Sequence, residues 1–127
     1  MNPQYEDFFE QVTGHRPYPY QVRLGQGDLP DLLEVPTGLG KTAGAVVAWL
    51  WRRLISPETT PRRLVYCLPM RVLVEQTVHR AREWIKNATP AYLHRDLAPP
   101  EAFVLMGGDA ETEWVQQPQR SAVIVGT

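Results

Sequence analysis

Four short apolar runs, DLLEV (31–35), RLVYCLP (63–69), AFVLM (102–106) and SAVIVGT (121–127), alternate with longer stretches of helical character, which restricts the chain to few folds. Each run is rich in branched or aromatic residues and bounded by proline, glycine or polar residues, so each predicts a buried strand. KTAGAVVAWLWRRLI (41–55) is apolar on nearly every side and stops at Ser56 and Pro57, where the residue before proline disfavours helix. A packed helix is expected there. In MRVLVEQTVHRAREWIK (70–86), Val74, Val78, Ala81 and Ile85 share one face while Arg71, Glu75, Arg82 and Lys86 lie elsewhere, as in an amphipathic helix covering a sheet. Strand, helix, strand, helix, strand predicts an α/β fold, a parallel sheet with flanking helices. Residues 56–61 and 88–102, rich in proline and polar side chains, are expected to be connections at the sheet edge. The first thirty residues, with Phe8 and Phe9 followed by HRPYPYQ, predict a short helix and an extended lead-in.

Composition narrows the setting. A chain of 127 residues with 43% hydrophobic and 21% charged side chains suits one domain with a true core. Thirteen basic against fourteen acidic residues give a net charge of −1, so nucleic acid would have to be held locally and not by a global positive field. The single cysteine excludes an intramolecular disulfide, and no apolar run reaches the roughly 18 to 20 residues of a membrane span. The start, MNPQYEDFFEQ, has no signal-peptide pattern. A cytoplasmic protein with no membrane partner is expected.

Between the first run and the first helix stands VPTGLGKT (35–42). A glycine-rich turn at this junction binds phosphate because unhindered backbone N–H groups and the helix N-terminus converge on phosphate oxygens. Gly38 and Gly40 supply the turn, Lys41 is suited to the β- and γ-phosphates, and the Thr42 hydroxyl to Mg²⁺. The general pattern GxxxxGK(S/T) opens on glycine, whereas here that position holds Val35. The run Pro-Thr-Gly-Xaa-Gly-Lys-Thr resembles the first motif of superfamily 2 helicases, where that position is often not glycine. The resemblance implies that Thr37, Gly38, Gly40, Lys41 and Thr42 hold ATP and its Mg²⁺.

Other segments point the same way. In LPMRVLVEQ, Pro69, Arg71, Leu73 and Gln76 stand at the spacing of the helicase motif PTRxLxxQ. Backbone N–H groups at a helix start plus Arg71 make an anion site, and the resemblance implies contact with a phosphodiester backbone. YPYQ (18–21) resembles the motif that reads adenine in these helicases. A glutamine amide can accept from adenine N6 and donate to N7, so Gln21 suits ATP over GTP, and Tyr18 or Tyr20 could stack on the base. Gly107 and Gly108, and Gly126 with Thr127, follow the last two strands where such helicases hold nucleic acid, and glycine permits close approach. Plain turns account for these glycines equally well, as packing on the sheet does for the tyrosines.

Taken together, VPTGLGKTAGAVVAWLWRR, RLVYCLPMRVLVEQT, VLMGGDAETEW and VIVGT look like the CRISPR-associated helicase-nuclease of type I systems, most of all the subtype G form, formerly U. The similarity runs from about Tyr18 to the end. It implies translocation along single-stranded DNA, an HD-type metal nuclease, and recruitment by an RNA-guided surveillance complex. On this reading residues 1–127 are the N-terminal part of the first RecA-like domain, residues 1–30 being a lead-in with the adenine motif. The chain would stop before the DExH segment and bind nucleotide without turning it over, which leaves the catalytic residues unassigned. Another superfamily 2 translocase of restriction or repair, a P-loop small-molecule kinase and an inactive truncated product stay open.

Some residues receive plainer readings. LHRDL (93–97) matches the start of the kinase loop HRDLxxxN, but Glu101 stands at the asparagine position and no DFG follows, so the match is attributed to chance. Cys67, Trp49 and Trp51 are expected in the core, and Arg52, Arg53, Arg62 and Arg63 on a solvated face.

Overall fold

The structure is a computed structural model that describes residues 3–30, 33–35, 38–105 and 120–127. Among these the elements run α1 (Pro3–Thr13), α2 (Pro19–Gln26), α3 (Lys41–Ile55), β1 (Arg63–Cys67), α4 (Arg71–His94), β2 (Glu101–Leu105) and β3 (Ala122–Gly126). β3 lies between β1 and β2 and pairs parallel with both. The expected α/β class with a parallel sheet is therefore what the chain adopts.

Successive strand residues face opposite sides of the sheet, and the register sorts them. Val123, Val125 and Ala102 join the main core with α3 and α4, with Leu64, Tyr66 and Val104 packed against it. Phe103, Ala122 and Ile124 form a smaller cluster on the other face. β3 is buried along its length because a strand flanks it on each side. In α3, Val46, Val47 and Leu50 are fully buried, as the all-round apolar sequence demands. Each such side chain contributes about 1.5–3 kcal/mol by leaving water. α1 closes the core with Tyr5, Phe8, Phe9 and Val12, and the Tyr5 and Phe8 rings lie 5.6 and 5.2 Å from that of Trp51. Trp49 is buried as expected and donates its indole N–H to the Pro61 carbonyl.

Several expectations need correction. DLLEV is not a strand over its described part: Leu33, Glu34 and Val35 carry no regular structure, and Asp31 and Leu32 lie outside the described residues. None of the described strands gives 33–35 a ladder, and extended backbone becomes a strand only when its N–H and C=O groups are paired. The lead-in is helical from Pro19 onward, because proline presets the first helical position and the Gln21 side chain caps the Tyr18 N–H. α4 runs through Pro90 to His94 where a loop was expected, since burial of Ala88 and Tyr92 outweighs the backbone hydrogen bond that proline lacks.

Nor are all the arginines a solvated face. Arg52 donates to the carbonyls of Leu24 and Gly27 at the end of α2, and Arg53 to those of Pro57 and Thr60. Helix ends and turns leave carbonyls without partners, and a guanidinium fork can satisfy two at once. Cys67 is exposed, because it shares its sheet face with Val65, itself 59% exposed, and not with the residues under α3 and α4.

Candidate nucleotide-binding site

Gly38 and Gly40 both take left-handed backbone, with φ of 91° and 72°. Side chains strain this region, so the loop needs glycine at these two places. A Cβ at Gly38 would meet nothing within 4 Å, so the backbone there is open to a ligand. Gly40 is the N-cap of α3 and has no side chain with which to cap it. The first N–H groups of α3 consequently have no partner within the helix and carry the positive end of its dipole. Lys41 follows, exposed, and Thr42 sits half-buried in the first turn.

Three contacts tie this loop to its neighbours. Gln21, 2% exposed, accepts from the Tyr18 N–H at 2.8 Å and donates to the Gly40 carbonyl at 2.8 Å. The Tyr20 hydroxyl donates to the Leu39 carbonyl. Burial raises the Tyr20 hydroxyl above the usual phenol range, so it remains a protonated donor near neutral pH. Thr42 Oγ1 lies 2.9 Å from Tyr66 Oη on β1. The Tyr18 and Tyr20 rings are parallel to within 10°, their centroids 6.4 Å apart, and Tyr18 is 48% exposed.

Beside the loop opens a cavity of about 600 Å³, lined among others by Tyr18, Gln21, Gly38, Gly40, Arg80 and Trp84. That volume falls within the range of small-molecule sites. The Arg80 guanidinium lies 4.9 Å over the Trp84 ring, so one wall presents a cation held by an aromatic face. A larger groove of about 700 Å³ runs along the other side of α3 past Leu24, Leu29, Trp49 and Ile55, and none of the described loop residues lines it.

The carboxyl ends of the strands are level, with Cys67, Gly126 and Leu105 in one register row. Pro69 and Arg71 follow β1, Thr127 follows β3, and all three are exposed at this end of the sheet. Gln76 is also exposed but lies five residues into α4, about 7.5 Å along its axis from Arg71. Gly126 serves the sheet itself, because a Cβ there would come within 2.4 Å of the Leu105 carbonyl. Thr37, Gly107 and Gly108 lie outside the described residues. Sequence reasoning missed Tyr66, Arg80 and Trp84; the spacing of Arg80 and Trp84, four apart on one helix, was the available signal for that pair.

The loop's features suit a nucleotide with its cation: glycine backbone open to approach, an uncapped helix start, an exposed lysine and a first-turn hydroxyl. A family model described as DEAD/DEAH box helicase matches residues 24–127. That stretch takes in the loop, α3, α4 and the whole sheet, and begins just after Gln21. No curated protein and no solved structure matches the chain.

Proposed function

The chain belongs to the DEAD/DEAH box helicase family, whose domains use ATP and typically Mg²⁺, and on that premise we propose that its loop at 35–42 holds ATP·Mg²⁺. The observation that carries this reading is the pair of left-handed glycines leading into the uncapped start of α3. Backbone N–H groups there take the phosphate oxygens, Lys41 balances their charge, and the Thr42 hydroxyl ligates Mg²⁺. Bound ATP·Mg²⁺ supplies a phosphoanhydride whose cleavage drives movement. Gln21 ties the loop to α2, and reading adenine with the same amide requires it to trade its Gly40 contact for the base.

The finer reading is a superfamily 2 motor acting on single-stranded DNA. Pro69, Arg71, Gln76, Gly107, Gly108 and Thr127 would face the DNA backbone, and support for this comes from the shared sheet end of Pro69, Arg71 and Thr127. The motif set favours the CRISPR-associated type I helicase-nuclease, a cytoplasmic enzyme that acts with an RNA-guided surveillance complex.

Lys41→Ala tests the assignment. The variant is expected to bind a fluorescent ATP analogue at least ~10-fold more weakly at an unchanged melting temperature, since a charge-assisted phosphate contact is worth about 1.5–3 kcal/mol. It is also expected to abolish any ATP-dependent unwinding of DNA. Undiminished nucleotide affinity would sink the proposal.

A further inference from the structure

Thr42 has a partner that the phosphate-loop pattern does not specify. Its Oγ1 lies 2.9 Å from Tyr66 Oη, joining the first turn of α3 to the next-to-last residue of β1 across 24 positions of sequence. Tyr66 is packed against the main core, in register with Val125, so its ring is held in place. The other nearby phenol, Tyr20, already donates to Leu39.

A threonine hydroxyl has one proton and two lone pairs. To give a lone pair to a cation it must point its proton elsewhere, and among the described residues Tyr66 Oη, 2.9 Å away, can take that hydrogen bond. Threonine in a helix otherwise divides between two rotamers, one of which returns the hydroxyl to its own backbone. The Tyr66 contact favours the rotamer that keeps the hydroxyl turned toward β1.

We infer that Tyr66 is a positioning residue for the metal: it accepts a hydrogen bond from the Thr42 hydroxyl and leaves a Thr42 lone pair aimed at the cation that accompanies the nucleotide. The inference rests on the loop holding ATP·Mg²⁺ as proposed above. Partners that orient a metal ligand in this way typically change metal affinity by about 10-fold to 100-fold when removed.

The test titrates the 127-residue chain with a fluorescent ATP analogue, once in excess Mg²⁺ and once in EDTA. Wild type, Thr42→Ala, Tyr66→Phe and the double variant are compared, and matching melting temperatures establish that the ring still packs. Mg²⁺ is expected to tighten binding by wild type and not by Thr42→Ala. If wild type gains nothing from Mg²⁺, or Thr42→Ala gains as much, the loop reading fails and takes the inference with it. Where that gain is present, Tyr66→Phe is expected to lose about 10-fold or more of it, with binding in EDTA unchanged. The double variant should bind no more weakly than Thr42→Ala alone, because the two groups act through one contact. A Tyr66→Phe chain that keeps the full gain, or that weakens equally with and without Mg²⁺, overturns the positioning role while leaving the loop assignment intact.

Discussion

Tyr5 and Tyr92 are buried phenols in the same core, yet their hydroxyls differ. Tyr92 donates to the Leu50 carbonyl, whereas Tyr5 Oη has no hydrogen-bond partner among the described residues. An unpaired buried polar group costs about 1–3 kcal/mol, while a made hydrogen bond stabilises by about 1 kcal/mol. Tyr5→Phe is therefore expected to raise stability by about 1 kcal/mol and Tyr92→Phe to lower it by a similar amount, both read from urea unfolding. Equal signs would mean that pairing is not what separates the two sites. The same distinction explains what the sequence disclosed about the site. The turn at Gly38 and Gly40 and the start of α3 at Lys41 were legible because backbone sterics dictate residue type locally. Tyr66 was not, because its partner is fixed by how α3 lies on the sheet, and tyrosine in a strand has no need of a hydroxyl contact. The inward turn of Gln21 was hidden for a related reason: the Gly40 carbonyl it holds is 19 residues away.

At the scale of elements, α4 shows a pattern stopping short of the structure. Apolar spacing fades near residue 86 and Pro90 signals an end, but Ala88 and Tyr92 anchor one more stretch against α3. The helix then closes in a Schellman turn, with the Leu97 N–H bonded to the Tyr92 carbonyl and the Asp96 N–H to that of Leu93. Asp96 takes the left-handed position, at φ 58°, where glycine is usual. This accounts for HRDL as a helix terminator and leaves no base to explain. Asp96→Gly is expected to stabilise the chain by about 1 kcal/mol in urea unfolding, because it relieves left-handed strain. A loss of stability would imply that the Asp96 side chain makes a contact worth more than that strain. By contrast α3 was legible at both ends, glycine before it and Ser-Pro after, with the apolar surface of a buried helix between. The described part of DLLEV, residues 33–35, misled because apolar content alone does not supply a neighbouring strand.

Across the whole molecule, the parallel sheet followed from the alternation of elements, but the order β1-β3-β2 could not, since pairing depends on contacts distant in sequence. Phenols shielded from water, two in the core and one beside the glycine loop, also give the molecule an alkaline limit. Tyr5, Tyr20 and Tyr92 are all pushed above the usual phenol range, in each case chiefly by burial. In the unfolded chain such groups ionise near pH ~10, so above that value the folded state binds more protons than the unfolded one. The stability they contribute is complete below about pH 10 and is lost as pH rises beyond it toward their folded values. Thermal melts should show this decline, and the decline should be shallower in Tyr5→Phe; an identical slope would remove Tyr5 from the account. The exposed face of β1 has a practical side as well. Cys67 is the only cysteine in the sequence, it is accessible, and it adjoins the tyrosine that holds Thr42. A maleimide dye can therefore be attached at one defined place without mutagenesis, on the face of the sheet opposite the Tyr66 ring, and its emission during an ATP titration would test whether filling the glycine loop is felt across the sheet.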